Sequence, residues 1–453
     1  MKKGNILVTI NYPRPSVRFS FIILAILCST CNAWGKVYLD INSPTFQQLA
    51  IAVPDFRTSP NGSRKQADNN SIWFSDTLTG LLKFTGVFNV IDKRAYLDDP
   101  VNKDAATGTI RFADWMAIGA EYLIKGNVRQ AGADLIVEAH LYDVVKGEFL
   151  LGKRYVGKAE DRKKIISKLA GDVLFALTGG RGVFASRIAF VMKSSKISDI
   201  YTISFDGSDL VKETNSNTIH MSPRWSPNGR YLSFTSFERG TPVFYVKDML
   251  NSNKSKISDF QGINLPGGWS PESSKVLLTL SKDGNEEIYV MDFINRRLLK
   301  RLTKDFAIDV SPAWSPDGSK IAFVSNRAGS PQIHLMNAEG GDLKRLTFEG
   351  HYNTSPSWSP QGDKIAYEGM TGGRFQIFLI GSDGANRQQL TFDSADSESP
   401  SWSPDGRYIV FNKNKNGKKK IYIMNANGSN IRVLYEGSGD CSSPSWSSAT
   451  TLE

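Results

Sequence analysis

Residues 314–347 read WSPDGSKIAFVSNRAGSPQIHLMNAEGGDLKRLT, and the same phrase restarts as WSPQGDKIAY at Trp358 and as WSPDGRYIVF at Trp402. A tryptophan in S-P-x-W-S or a near variant stands at Trp225, Trp269, Trp314, Trp358, Trp402 and Trp446, with spacings of 44, 45, 44, 44 and 44. Each period holds a short strand ending at the Trp, a turn, a KIAFVS-type strand, a loop, a QIHLM-type strand and a last strand of the LKRLT type. A repeat of this length with four short strands is the pattern of β-propeller blades.

The turn Ser315-Pro316-Asp317-Gly318 suits type I geometry, because proline presets φ at its second position and glycine eases the exit. Asn228 and Gln361 vary the third position, while the copy Ser270-Pro271-Glu272-Ser273 lacks the glycine and is expected to be the least regular. A residue that returns in nearly every blade does the same structural job in each. The tryptophans are therefore read as packing residues, and Asp317 and Asp405 as turn residues rather than catalytic acids.

One copy is split. Residues 186–214, SRIAFVMKSSKISDIYTISFDGSDLVKET, contain the second, third and fourth strands of a blade with no Trp strand ahead of them, and CSSPSWSS at 441–448 is a Trp strand with nothing after it. Six Trp strands and six three-strand remainders give six blades, one of them closed by strands from both ends of the repeat region. Such closure leaves no open end in the ring.

Ahead of the repeats, QLAIAVPDF and FNVID read as short strands flanking a helical pattern in NNSIWFSDTLTGLLKFTG. Residues 120–157 read as three strands in two hairpins, with turns at Ala131-Gly132 and Lys146-Gly147, and residues 159–179 as an amphipathic helix ending at Gly179. The expected architecture is an α/β N-terminal domain over 34–183 followed by an all-β six-bladed propeller over 184–449.

Residues 1–33 read as a secretory signal peptide. Lys2, Lys3, Arg14 and Arg18 precede the apolar run FSFIILAIL, which is far shorter than the ~20 residues of a spanning helix. Cleavage is placed after Ala33, with Gly35 as second choice. The C-x-x-C pair Cys28 and Cys31 falls in the discarded segment, leaving Cys441 alone, so no intramolecular disulfide is available. The formal charge of +10 drops to about +6 on the mature chain. That modest excess, without a concentrated stripe or motif, gives no argument for nucleic-acid binding.

VYLDI just after the signal, AVPDF, DWMAIGAEYLIKGNV, the join LTGGRGVFASRIAFV and the WSPDG repeats together resemble the TolB family of the Tol-Pal envelope system. The join and the domain order carry most of the likeness, since WSPDG blades also occur in other propellers, including those attached to peptidases. The resemblance implies a non-enzymatic periplasmic scaffold whose propeller binds the peptidoglycan-associated lipoprotein Pal and whose mature N-terminus engages TolA. It further implies roles in outer-membrane integrity and in constriction during cell division, and in some bacteria bacteriocin import.

The residues themselves offer no catalytic constellation. G-x-S-x-G, H-E-x-x-H and the phosphate loop G-x-x-x-x-G-K-[ST] are absent, and His140, His220, His334 and His351 show no ligand spacing. No cofactor or metal is expected. The rival to a scaffold is a propeller holding a small ligand or glycan, or serving as an accessory domain of a peptidase system.

Docking is expected at the channel mouth where each inner strand begins. Five residues before each Trp stand His220, Asn264, Asp309, Asn353, Ser397 and Cys441, and four before stand Met221, Leu265, Val310, Thr354, Glu398 and Ser442. These two rings are predicted to supply orienting polar groups and apolar pockets. Loops between second and third strands carry Lys193, Lys196, Arg239, Lys282, Arg327, Arg374 and, in the run KNKNGKKK, Lys415. They form a positive collar diluted by Glu238, Asp283 and Glu368, which would steer an acidic partner surface. The segment Lys36, Val37, Tyr38, Leu39, Asp40 and Ile41 is expected to dock on its own domain or to add as a strand to a partner, in an otherwise monomeric protein.

Overall fold

The computed structural model describes residues 47–58, 64–97, 110–180 and 182–448, with only the backbone of 64–68. Cys28, Cys31, the rest of the expected signal segment over 1–33 and the segment 36–41 lie outside the described residues. The chain divides into two compact units between Gly182 and Val183.

The first unit contains β1 (Leu49–Ala52), β2 (Arg57–Thr58), α1 (Arg64–Phe84), β3 (Phe88–Val90), α2 (Phe112–Ala117), β4 (Tyr122–Ala131), β5 (Asp134–Asp143), β6 (Glu148–Lys158) and α3 (Arg162–Thr178). The strand order is β3-β1-β4-β5-β6, with β2 also on β4. β1 runs parallel to β3 and β4, and β4, β5 and β6 form the two expected antiparallel hairpins. Apolar residues at helical spacing turn one face of α3 inward, burying Ile165, Ile166, Leu169 and Val173. Its end is set by Gly179 at φ 77°, whose N–H returns to the Phe175 carbonyl at 2.8 Å. Gly126 in β4 is required by packing, because a Cβ there would sit 2.3 Å from the buried Phe56 ring. α2 was not predicted; at six residues, with no side-chain cap, it leaves too short a periodic trace.

The second unit is six four-stranded antiparallel sheets. Blades 1 to 5 begin with the inner strands His220–Trp225, Asn264–Trp269, Asp309–Trp314, Asn353–Trp358 and Asp396–Trp402. The sixth joins Asp440–Trp446 to Arg187–Ser194, Ile197–Ser204 and Val211–Lys212, in that order. Each inner strand touches the next, and the last returns to the first, so the ring is closed. At the closure the Ser447 N–H donates to the Arg187 carbonyl at 2.8 Å, the Arg187 N–H donates to Ser447 Oγ at 2.9 Å, and Trp446 Nε1 donates to Ser186 Oγ at 2.8 Å.

The repeated tryptophans do interblade work. Trp358 Nε1 donates to the Ala313 carbonyl and Trp402 Nε1 to the Ser357 carbonyl, both at 3.1 Å and both on the preceding inner strand. Asp317 locks its turn by accepting from Ser315 Oγ, the Ser319 N–H and Ser319 Oγ, and these bonds hold its carboxyl at about 2.

The turn at Ser270 departs from expectation. It closes with the same bonds as its sisters, Ser273 N–H to the Ser270 carbonyl at 2.8 Å and Ser270 N–H to the Lys275 carbonyl at 2.9 Å. Its difference is conformational: Ser273 sits at φ 61°, where Gly229, Gly318, Gly362 and Gly406 sit at 68–74°. The ladder bonds outweigh a left-handed cost of roughly 1–2 kcal/mol.

Every inner strand carries a β-bulge. In five of them the serine three before the Trp is left-handed: Ser222, Ser311, Ser355, Ser399 and Ser443 have φ between 51° and 56°. In the second blade Pro266 holds that position, where its ring fixes φ negative, and the register shift moves to between Pro266 and Trp269. Trp446→Ala removes a buried aromatic from the closing blade and should destabilise the protein by about 3–5 kcal/mol in equilibrium urea unfolding.

Candidate protein-docking face

Chain direction puts the start of every inner strand on one face of the propeller, together with the incoming loops from each outer strand and the loops between second and third strands. The period of two along a strand then separates the two predicted rings.

The residues five before each Trp do not line the mouth. His220, Asn264, Asp309, Asn353, Ser397 and Cys441 are all 0% exposed. Most have partners inside the propeller, while Ser397 Oγ, Asp309 Oδ1 and Asn353 Oδ1 are buried without a hydrogen bond. Asn353 Nδ2 donates to Gln332 Oε1 at 2.8 Å and to the Glu349 carbonyl at 2.9 Å. Asn264 accepts from the Phe260 N–H at 3.0 Å and donates to the Phe260 carbonyl at 2.6 Å. Asp309 Oδ2 accepts from Arg327 Nη2 at 2.7 Å, and the His220 ring bonds the Ser198 carbonyl and Ser216 Oγ. This corrects the expectation of an orienting polar ring: full burial removes these groups from any partner.

The residues four before each Trp point the other way. Met221 is 37% exposed, and Leu265, Val310, Thr354, Glu398 and Ser442 are half-buried. Glu398 accepts from Lys419 Nζ at 2.6 Å and from Asn412 Nδ2 at 2.8 Å.

The positive collar is mostly neutralised. Lys282 pairs with Asp283 at 2.8 Å, Arg327 with Asp309, Arg374 with Asp396 at 3.3 Å, Lys413 with Asp393, Lys419 with Glu398, and Lys418 and Lys420 with Glu436. Arg327 is a half-buried clamp on the buried Asp309 carboxylate rather than a free rim charge. Among the described residues, Lys193, Lys196, Arg239 and Lys415 are exposed with no salt bridge.

The sequence reading missed the apolar part of this face. Phe306 is fully exposed at 106% in the loop entering the third blade, with Ile308 beside it at 44%. Phe348, Tyr352 and Phe392 are exposed in the loops entering the fourth and fifth blades, and Ile219 in the loop entering the first. The loop of Phe306 is held rather than loose: Asn285 Nδ2 donates to the Asp305 and Ala307 carbonyls, and Glu287 Oε1 accepts the Asp305 N–H at 2.8 Å. The available signal was an aromatic standing among polar turn residues just after each L-T pair.

These features define a class: an α/β domain followed by a closed six-bladed propeller with exposed apolar side chains in the loops that enter its inner strands. Residues 175–450 match the TolB beta propeller domain and residues 37–150 the TolB amino-terminal domain. The Tol-Pal system protein TolB of Syntrophus aciditrophicus is 48% identical over 234 residues, 51% of each chain, and that of Desulfosudis oleivorans is 40% identical over 253 residues, 55% of this chain and 57% of the other. The chain thus spans about half the length of the curated relatives it matches. The crystal structure of TolB from Acinetobacter baumannii superposes with a TM-score of 0.76 at 28% identity, covering 88% of this chain and 96% of that one. The chain belongs to the TolB family.

The division of the two rings is testable. Asn353→Ala strips a buried donor from Gln332 and should lower stability by about 1–3 kcal/mol in urea unfolding. Thr354→Ala, one residue on and facing the channel, should stay within roughly 0.5 kcal/mol of the parent.

Proposed function

We propose that this chain is a periplasmic scaffold of the Tol-Pal system that works through protein contacts and performs no catalysis. Its propeller mouth binds the peptidoglycan-associated lipoprotein Pal, and the segment Lys36–Ile41 engages TolA. In that role it maintains outer-membrane integrity and supports constriction during division. The observation that carries the reading is the apolar display at the mouth, centred on the fully exposed yet firmly held Phe306. Large aromatics on a fixed backbone lose little entropy on docking and are typical anchors of an interface.

Support also comes from family membership and from relatives that bear the name Tol-Pal system protein TolB. Among the described residues no helix is long and apolar enough to cross a membrane. Arg239, Lys415 and the other unpaired rim cations supply a weak long-range attraction for an acidic partner, felt in the association rate more than in the affinity.

Capture from detergent-solubilised envelope with the tagged chain should recover the peptidoglycan-associated lipoprotein; its absence under saturating conditions overturns the assignment. With purified lipoprotein, Phe306→Ala should accelerate dissociation by about tenfold or more, equivalent to more than 1 kcal/mol. The double reversal Arg239→Glu with Lys415→Glu should slow association at low salt and leave it unchanged at high salt, as surface plasmon resonance would record.

A further inference from the structure

Ten residues after each Trp, on the second strand of blades 1 to 5, stand Thr235, Thr279, Val324, Glu368 and Asn412. This position looks toward the inner strand of the next blade. Asn412 Oδ1 accepts the N–H of Ser443, the left-handed bulge serine of the sixth blade, at 3.1 Å. One junction earlier Glu368 Oε2 accepts the N–H of Ser399, the equivalent serine of the fifth blade, at 2.5 Å. The same bond is thus made once by a neutral amide and once by a carboxyl group.

The carboxyl is unlike the other buried acids. Asp143, Asp199, Glu287 and Asp309 each have a lysine or arginine within ion-pair distance. Glu368 is buried and has no ion-pair partner among the described residues. In its own sheet it faces Thr354 and Ile377, neither of which titrates. From the fifth blade it faces Glu398, a second carboxylate, and Lys419, whose ammonium is already engaged by Glu398 at 2.6 Å. The Ser355 side chain is the remaining polar neighbour. A buried charge without a partner is more costly than a neutral group making the same hydrogen bond.

We propose that Glu368 is a proton-operated element behind the channel wall. When neutral it accepts the Ser399 amide and holds the seam between the fourth and fifth blades closed; when ionised it sets a second negative charge beside Glu398 and loosens that seam. Burial pushes its carboxyl up to about 7, with the Glu398 charge adding to the rise and the Ser399 amide, Ser355 and Lys419 opposing it. Because the folded value lies above the ordinary glutamate value of 4.5, the stabilising contribution is complete below that ordinary value and is lost as pH rises through about 7. The change at Glu368 would reach the docking face through Glu398, but the inference stands whichever partner binds there.

The test is the melting temperature of the full chain between pH 4.5 and 8, measured for the parent and for Glu368→Gln, which keeps the acceptor and removes the proton. The parent should lose roughly 5 °C more than the variant across this window, since 1 kcal/mol moves the midpoint of a domain this size by about 2–4 °C. His220 and the other histidines contribute equally to both curves and cancel in the difference. Parallel curves overturn the proposal. Infrared spectroscopy of the parent labelled with 13C-glutamate, which separates Glu368 from the raised carboxyls of Asp309 and Asp405, decides the matter even if the variant folds poorly: a neutral glutamic C=O band at pH 6 that disappears by pH 8 supports it, and its absence at pH 6 refutes it. Glu398→Gln should shift the parent's loss of stability to lower pH, because it removes the neighbouring negative charge.

Discussion

The antiparallel pairing of Asp440–Trp446 with Arg187–Ser194 is the contact on which the propeller depends. Each blade buries its hydrophobic faces only against two neighbours, so an array with free ends would leave two sheets half covered. Joining the two extremities in one sheet converts a row into a ring in which every blade has both neighbours. The bonds around Ser447, Arg187 and Trp446 then serve as a clasp, formed by residues some 260 positions apart.

The ring in turn dictates what a repeated position means. Trp358 and Trp402 reach across to the preceding inner strand, the bulge serines of five blades take a left-handed backbone, and the residue five before each Trp is fully buried. Closely packed radial sheets leave no room for a polar side chain to serve both the frame and a partner. Residues displayed outward are therefore those one step along the strand, Met221 to Ser442, and those in loops such as that of Phe306.

Departures from the repeat mark the places where this chain does something individual. Pro266 shifts a bulge that serine carries elsewhere, Ser273 accepts a strained turn that glycine eases elsewhere, and Glu368 makes with a carboxyl the bond that Asn412 makes with an amide. Each is an exchange at a fixed backbone position, so its cost can be judged against its sisters in the same molecule.

The sequence by itself determined the number of blades, the strands within them, the split sixth blade, the hairpins of the first unit and the end of α3 at Gly179, because all of these follow from local periodicity and turn chemistry. It grouped the inner-strand starts on one face, but it assigned His220, Asn264, Asp309, Asn353 and Ser397 to the surface and Arg327 to a charged rim. Only the tertiary structure decided otherwise: whether a side chain faces the channel or the next blade depends on the bulge that shifts each inner strand and on the distance between sheets, and neither quantity is written in the spacing of residues along one chain. The pairing of Arg374 with Asp396 and the isolation of Glu368 are likewise consequences of strands from neighbouring blades meeting across a seam.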